Sequence, residues 1–145
     1  MLNKKATAKI EGSRQFPQIC GYVDFLQVKE GVLVTATIKG LPDNFGIFGF
    51  HIHNGKSCSG NETDPFADAD GHFDTDNNPH PYHLGDLPPL FGNNGIAYMT
   101  VLTDRFSVDE IIGRVVIIHE KPDDFTTQPS GNSGLKIACG VIRSN

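Results

Sequence analysis

The segment Phe48-Gly-Phe-His-Ile-His53 alternates apolar side chains with glycine and histidine. In a β-strand successive side chains point to opposite faces, so the two phenylalanines and the isoleucine would face a core. His51 and His53 would then lie side by side on the other face. Two adjacent imidazoles can act as two ligands of one metal ion, so the segment predicts a strand that carries part of a metal site.

Alternation with a period of two residues marks three other segments, each predicting a half-buried strand: residues 6–10, 21–25 and 32–38. Residues 96–102, 115–119 and 136–142 are predicted as further strands. Helical periodicity is limited to one turn, where Ser107 and Glu110 have the spacing of a capping box. Short strands with many glycines and prolines between them predict an all-β sandwich or barrel. Two long polar segments, 54–90 and 120–134, are expected to be functional loops.

The composition limits the classes of protein to which the chain can belong. Its 145 residues suit one domain, which we expect to span residues 1–145. The net charge of −5 disfavours nucleic acid and anionic membranes as partners. No apolar run is long enough to span a membrane, and the segment Met1-Leu-Asn-Lys-Lys-Ala-Thr7 lacks the apolar stretch of a signal peptide. These features predict a cytoplasmic protein without a membrane partner.

Three cysteines, Cys20, Cys58 and Cys139, permit one disulfide in three ways and leave one thiol over. A reducing compartment argues against any disulfide. The residues alone therefore leave the state of the cysteines open.

The six histidines fall into a pattern that predicts two metal clusters. The segment 54–90 contributes four ligands of the kind that a tetrahedral zinc site uses: His72, His80, His83 and Asp86. His119, at the end of the segment 115–119, can return to the histidine pair of the segment 48–53. The result is an all-nitrogen, copper-like cluster beside a zinc-like cluster.

The acidic stretch 64–76 is not predicted to bind calcium. When Gly71 is aligned with the glycine of an EF-hand loop, Phe66 occupies the first ligand position and Asn77 the last. Neither residue suits the motif. We therefore expect a solvated acidic loop for Asp64, Asp68 and Asp70.

Several motifs, in this order along the chain, resemble the Cu/Zn superoxide dismutase family: Gly49-Phe-His-Ile-His53, Gly71-His-Phe73, His83-Leu-Gly-Asp-Leu87, Gly113-Arg114, His119-Glu-Lys-Pro-Asp-Asp124, Gly131-Asn-Ser-Gly134 and Ala138-Cys-Gly-Val-Ile142. The resemblance implies an eight-stranded antiparallel Greek-key β-barrel or sandwich with two long functional loops. It implies an antioxidant oxidoreductase that converts two superoxide radicals to O₂ and H₂O₂ through a Cu²⁺/Cu⁺ cycle. It also implies one copper and one zinc ion per chain, and a homodimer.

Carried over position by position, the resemblance assigns four copper ligands: His51, His53, His72 and His119. It assigns four zinc ligands: His72, His80, His83 and Asp86. His72 would bridge the two ions and act in catalysis, while Asp123 would accept hydrogen bonds from one ligand of each ion. Cys58 and Cys139 match the family's disulfide, which persists even in the cytosol, and leave Cys20 as a free thiol with a structural role.

The sequence departs from the family pattern three residues before Cys139, where Lys136 replaces the usual arginine. That arginine flanks the copper and guides superoxide in the family. We expect Lys136 to act in catalysis in the same way but less efficiently, because it lacks the planar fork of donors.

Three loops also depart from the family pattern. Only two residues separate His80 from His83, where relatives usually carry a longer insertion. The segment 54–57 is as short as in bacterial forms, which leaves the mode of dimerisation open. The segment 125–133 carries no charge, so electrostatic steering is expected to depend mainly on Lys136 and the metals.

The main alternative is a non-catalytic copper- and zinc-binding relative with the same fold. A decayed paralogue is expected to lose ligands, and all seven ligand positions are filled here. A zinc hydrolase or a site like that of carbonic anhydrase is a second alternative. It would use three histidines and leave the other three and Asp86 unexplained.

Overall fold

Nine β-strands account for most of the regular structure in residues 3–43 and 46–145, which the computed structural model describes. They are β1 (Lys5–Gly12), β2 (Cys20–Val28), β3 (Gly31–Lys39), β4 (Ile47–Phe48), β5 (Phe50–His53), β6 (Leu90–Phe91), β7 (Ala97–Thr103), β8 (Val115–His119) and β9 (Lys136–Ser144). A 3₁₀ turn at Ala67–Ala69 and a single-turn helix, α1 (Val108–Ile111), lie between them. These nine strands pair in antiparallel fashion.

The strands close into a barrel. Seven of them form one sheet in the order β5-β8-β9-β1-β2-β3-β7, and β4 pairs with β6. Gly49 alone separates β4 from β5, so the two make one interrupted strand and bring the count to eight. Asn93 and Ile96 exchange two backbone hydrogen bonds, of 2.7 and 3.1 Å, in the turn that connects β6 to β7. This turn links the β4–β6 pair to the last strand of the larger sheet and so joins the two ends of the curled sheet. The predicted all-β, antiparallel Greek-key barrel is confirmed.

The seven predicted segments all correspond to strands, with their ends shifted by one or a few residues. The pattern missed β6, because two residues are too few to show a period. The predicted capping box is also present, since the Ser107 N–H donates to the Glu110 carboxylate at 2.7 Å. Within the described ranges, no helix has the length and apolar character needed to cross a membrane.

Alternate residues of the strands fill the barrel interior. On β1, β2 and β3 the inward side chains are fully buried: Ala6, Ala8, Ile10, Val23, Phe25, Val32, Val34, Ala36 and Ile38. Phe48, Phe50 and Ile52 belong to the same core, as their alternation predicted. Burying each of these larger side chains contributes roughly 1.5–3 kcal/mol to stability.

Both faces of β5 and β8 are buried. One face points into the barrel, and the loop after β5 covers the other. Beneath this loop lies a second apolar cluster: Phe66, Ala69, Val115, Ile117 and Cys139. The prediction of a half-buried strand is therefore wrong for β5, because a loop takes the place of solvent on its outer face.

A disulfide between Cys58 and Cys139 joins this loop to β9, and the two Cα atoms lie 5.8 Å apart. The pairing that the family resemblance implied is confirmed, while the expectation from a reducing compartment was wrong. Cys20 is free and exposed at the start of β2. The disulfide spans 81 residues of sequence, so it restricts a large part of the unfolded chain.

Replacing Cys58 and Cys139 together by serine is expected to lower the free energy of unfolding by roughly 4–5 kcal/mol, because the unfolded chain regains the freedom of a long loop. Urea unfolding of the metal-free protein measures this difference. Cys20→Ser removes a thiol without removing a cross-link and serves as the control. A loss in the double variant no larger than in the control would contradict the expectation.

Candidate metal centre

The long loop after β5 returns to the free edge of that strand and pairs with it. Ile52 donates its N–H to the carbonyl oxygen of Gly85 at 2.9 Å, and its own carbonyl accepts from the Phe73 N–H at 2.8 Å. A Cβ built on Gly85 would overlap the carbonyl oxygen of Ile52, so glycine is required for this close approach. The loop therefore extends the sheet beyond β5.

This pairing sets the positions of the ligand candidates. A single backbone bridge places His72 opposite His53. A second bridge places Asp86 opposite His51. His119 comes from β8, which pairs with β5 from the other side. Residues distant in sequence thus meet on the outer face of one strand.

Four buried imidazoles form the first cluster: His51, His53, His72 and His119. One ring nitrogen of each lies within 4.8 Å of the others. The Nε2 atoms of His53 and His119 are 3.4 Å apart. The structure thus brings together the four histidines that the sequence predicted as one all-nitrogen set.

Three imidazoles and a carboxylate form the second cluster: His72, His80, His83 and Asp86. Oδ1 of Asp86 lies 2.7 Å from Nδ1 of His72. Oδ2 of the same carboxylate lies 3.2 Å from Nδ1 of His80 and 3.2 Å from Nδ1 of His83. His72 belongs to both clusters, because its Nδ1 contacts Asp86 and its Nε2 is left for the first cluster.

The chemistry of the two clusters fits metal ions. Four of their ring nitrogens are buried and form no hydrogen bond of acceptable geometry in the described part of the chain: Nδ1 of His51, Nε2 of His72, Nδ1 of His80 and Nδ1 of His83. The last two lie near Oδ2 of Asp86 but are poorly aligned with it. Burying an unpaired nitrogen costs about 1–3 kcal/mol, so four of them together would be strongly unfavourable. Coordination of a metal ion by each lone pair removes this penalty.

Asp123 connects the two clusters from behind. Its Oδ2 accepts a hydrogen bond from Nε2 of His51 at 2.8 Å, and its Oδ1 accepts one from Nε2 of His80 at 2.8 Å. These bonds put a proton on each Nε2 and leave both Nδ1 atoms free to bind metal. Gly131 packs against this carboxylate with φ of +78°, and a Cβ there would overlap Oδ1 of Asp123.

Backbone carbonyls orient two other rings. Nδ1 of His53 donates to the carbonyl oxygen of Asp70 at 2.6 Å, and Nδ1 of His119 donates to that of Gly134 at 3.3 Å. Their Nε2 atoms are therefore the ones that remain for a metal ion. Asp70 was expected to belong to a solvated acidic loop, and the contribution of its main chain to the site could not be predicted from its side chain.

The protonation states of these groups suit metal binding. Burial lowers the pKa of His51 and of His53 well below the ordinary value, and the neighbouring imidazoles lower both further. Burial lowers the pKa of His119 to about 4. For Asp86 burial raises the pKa, but the hydrogen bond with His72 and the neighbouring imidazoles lower it overall. These imidazoles are neutral and this carboxylate is charged at neutral pH, as metal ligands must be.

The short turn from His80 to His83 is held by two residues that the sequence did not single out. The Arg105 guanidinium donates to the carbonyl oxygens of Pro81 at 2.9 Å and His83 at 3.1 Å. The side-chain amide of Gln128 accepts from the His80 N–H at 2.8 Å and donates to the His80 carbonyl at 2.7 Å. Two intervening residues are therefore enough to aim both rings at Asp86.

Lys136 begins β9 directly opposite His119 on β8. Its Nζ donates to Oδ2 of Asp64 at 2.8 Å and lies 3.4 Å from the carbonyl oxygen of Phe66. The interpretation of Asp64 as a merely solvated acid is wrong, because its carboxylate forms an ion pair beside the first cluster. The interpretation failed because 72 residues of sequence separate the two partners.

Comparison with known proteins agrees with this geometry. The family model for copper/zinc superoxide dismutase matches residues 19–142. A superoxide dismutase [Cu-Zn] of Legionella pneumophila is 39% identical across 94% of this chain and 86% of its own length. A superoxide dismutase [Cu-Zn] of Photobacterium leiognathi is 36% identical across 85% of this chain and 78% of its own length.

Two solved structures share the fold over nearly the whole chain. The crystal structure of the clock protein EA4 aligns with a TM-score of 0.83 and 31% identity, over 99% of this chain and 96% of that one. The Cu/Zn superoxide dismutase from Brucella abortus aligns with a TM-score of 0.81 and 29% identity, over 94% of this chain and 98% of that one. The barrel, the two ligand clusters and the family match lead to one conclusion: the chain belongs to the Cu/Zn superoxide dismutase family, whose members are oxidoreductases that use copper and zinc and act on superoxide.

Proposed function

We propose that the two clusters divide the metals between them in a superoxide dismutase. The first cluster would hold copper: His51, His53, His72 and His119. The second would hold zinc: His72, His80, His83 and Asp86. Donor chemistry supports this division, because imidazole nitrogens suit copper and three imidazoles with a carboxylate suit tetrahedral zinc.

The shared ring of His72 is the observation that carries the proposal. It is stacked on the ring of His51 at 3.9 Å between centroids, and its Nδ1 contacts Asp86. One imidazole with both nitrogens directed at separate ligand sets can couple two ions. A site for a single ion does not need such a ring.

When bound, copper supplies the one-electron chemistry that converts two superoxide radicals to O₂ and H₂O₂, and zinc supplies a fixed positive charge. The protein fixes the donor atoms before the metals arrive, through Asp123 and the carbonyls of Asp70 and Gly134. Nε2 of His72 is the atom proposed to hold the proton that passes to the product. Nδ1 of the same ring lies in the cluster that would hold zinc, beside Asp86, so the ring has a support on that side.

The attraction of an anionic substrate must be local, because the chain carries a net charge of −5. Lys136 is proposed to supply a positive charge next to His119, together with the bound metals. The neutral buried histidines add no charge of their own at neutral pH. An acidic surface with a positive site then directs anions to one place.

We also propose that the chain forms a homodimer and acts in the cytoplasm. Large apolar side chains exposed on the outer face of the barrel support association with a second copy, among them Tyr22, Tyr98 and Leu102. Sedimentation equilibrium of the metal-loaded protein tests the dimer. Fractionation of cells that express the chain tests its location.

Metal analysis and a superoxide assay on the same sample test the division of metals. We expect about one copper and one zinc per chain with rapid dismutation. His53→Ala should remove copper and activity but keep zinc, whereas His83→Ala should weaken zinc binding but keep copper. Each variant loses one imidazole and is therefore the control for the other. Zinc alone without dismutation in the unaltered protein would contradict the proposal and favour the non-catalytic relative.

Lys136→Arg is expected to raise the rate constant of dismutation by roughly twofold or more at low ionic strength, because a guanidinium offers a planar fork of donors to an anion. Stopped-flow decay of superoxide at low and high salt measures the effect. Lys136→Gln removes the charge and should lower the same rate constant. An unchanged or lower rate in the arginine variant would refute the proposed role.

The metal-free protein is expected to lose stability as the pH falls from 6.5 towards about 4, because His119 and its buried neighbours stay neutral in the folded chain. In this window the unfolded chain binds protons that the folded chain excludes, so each group lowers the free energy of unfolding by up to about 1.4 kcal/mol per pH unit. Above this window the effect vanishes. Urea unfolding across the range measures the slope, and His119→Gln should reduce it. The same slope in both proteins would contradict the assignment.

A further inference from the structure

A cavity of about 340 Å³ opens to solvent at the start of β9. Its walls carry charges of both signs: Lys136 and Arg14 are positive, and Glu62 and Asp64 are negative. Lys136 lies opposite His119 in the strand pairing, so this cavity adjoins the first cluster. An anion that approaches Lys136 through the cavity meets the acidic residues as well as the basic ones.

Asp64 is held in place by hydrogen bonds within its own loop. Its N–H donates to the side-chain oxygen of Asn61 at 2.8 Å, and its carbonyl accepts from the Asn61 N–H at 2.8 Å. Its Oδ1 accepts from the Phe66 N–H at 3.1 Å, which leaves Oδ2 for Lys136 at 2.8 Å. The carboxylate is therefore a fixed partner, and the long lysine side chain is positioned against it.

The charges of the pair largely offset each other. The Lys136 side chain is 19% exposed and the Asp64 side chain is 41% exposed, so neither charge is removed from the approach path by burial. An anion in the cavity therefore meets a dipole and not an isolated ammonium. The orientation of that dipole is fixed by the hydrogen bonds of Asp64.

We propose that Asp64 limits the strength with which the site attracts anions, by offsetting the charge of Lys136 while it holds the ammonium in place. The inference builds on the proposed role of Lys136 as the guiding cation. Asp64 acts through Lys136 and through its own charge, so it is a positioning and charge-setting residue. Asp64→Asn separates the two effects, because the amide oxygen still accepts a hydrogen bond but carries no charge.

Removing the negative charge of Asp64 is expected to raise the local concentration of an approaching anion. One unit charge at roughly 10 Å in water corresponds to a change of about twofold. The effect should be largest near 10 mM ionic strength and should nearly vanish near 1 M, where the Debye length falls to about 3 Å. The same dependence on salt is expected for a small anion that binds at equilibrium. A loss of fold or of metal would not produce it.

Azide titration of the copper- and zinc-loaded protein, followed by visible absorption, tests the inference without turnover. Asp64→Asn should bind azide about twofold more tightly than the unaltered protein at low salt and equally at high salt. The rate constant for superoxide should rise in parallel. Glu62→Gln is the matched control, since it removes the same charge from the same cavity. A smaller gain is expected from it, because Glu62 is exposed to screening by solvent and has no ion pair with Lys136 among the described residues.

Equal azide affinity of Asp64→Asn and the unaltered protein at low salt would overturn the inference. An equally large effect of Glu62→Gln would also overturn it, because general charge would then suffice. Lys136→Gln separates this failure from that of the underlying proposal. If Lys136→Gln leaves azide affinity unchanged, the guiding role of Lys136 is wrong and the inference about Asp64 falls with it.

Discussion

The metal centre depends on the pairing between β5 and the loop that follows it. β5 is four residues long, and its backbone would be half unsatisfied without the loop. The hydrogen bonds between Ile52 and the loop satisfy that edge and at the same time bring His72 and Asp86 to the strand. The backbone hydrogen bonds that satisfy the edge of β5 therefore also set the positions of the ligand candidates.

The second long loop, residues 120–134, supports this arrangement on the side away from the ligand nitrogens. Asp123 reaches one ring of each cluster, and Gln128 holds the backbone of His80. Gly131 leaves the room that Asp123 occupies. The two clusters therefore share His72 and this support, while each has ligands of its own.

Much of the fold could be predicted from local patterns, since alternation along β1, β2 and β3 directly reports which side chains enter the barrel. The histidine pair on β5 and the family motifs identified the ligand candidates. The patterns failed where burial comes from loops, as on the outer face of β5, whose residues are buried on both sides. Periodicity describes one strand and its two faces, and it contains no information about what covers the second face.

The contacts between loops could not be predicted from the sequence either. Asp64 and Lys136 are 72 residues apart, and Arg105, which follows β7, donates to the turn after His80 from 24 residues further along the chain. Each of these residues is an ordinary charged side chain in its local context. Their roles arise from the closed barrel and from the disulfide between Cys58 and Cys139, which fixes the loop against β9.

The pairing of the loop with β5 also has a consequence for association between chains. An uncovered strand edge is a template on which a strand of another molecule can add, and Phe50-His-Ile-His53 would present apolar side chains at such an edge. The loop that carries His72 and Asp86 occupies this edge. Metal binding by His72 and Asp86 would hold the loop on this edge. It would therefore also disfavour the addition of a strand from another molecule.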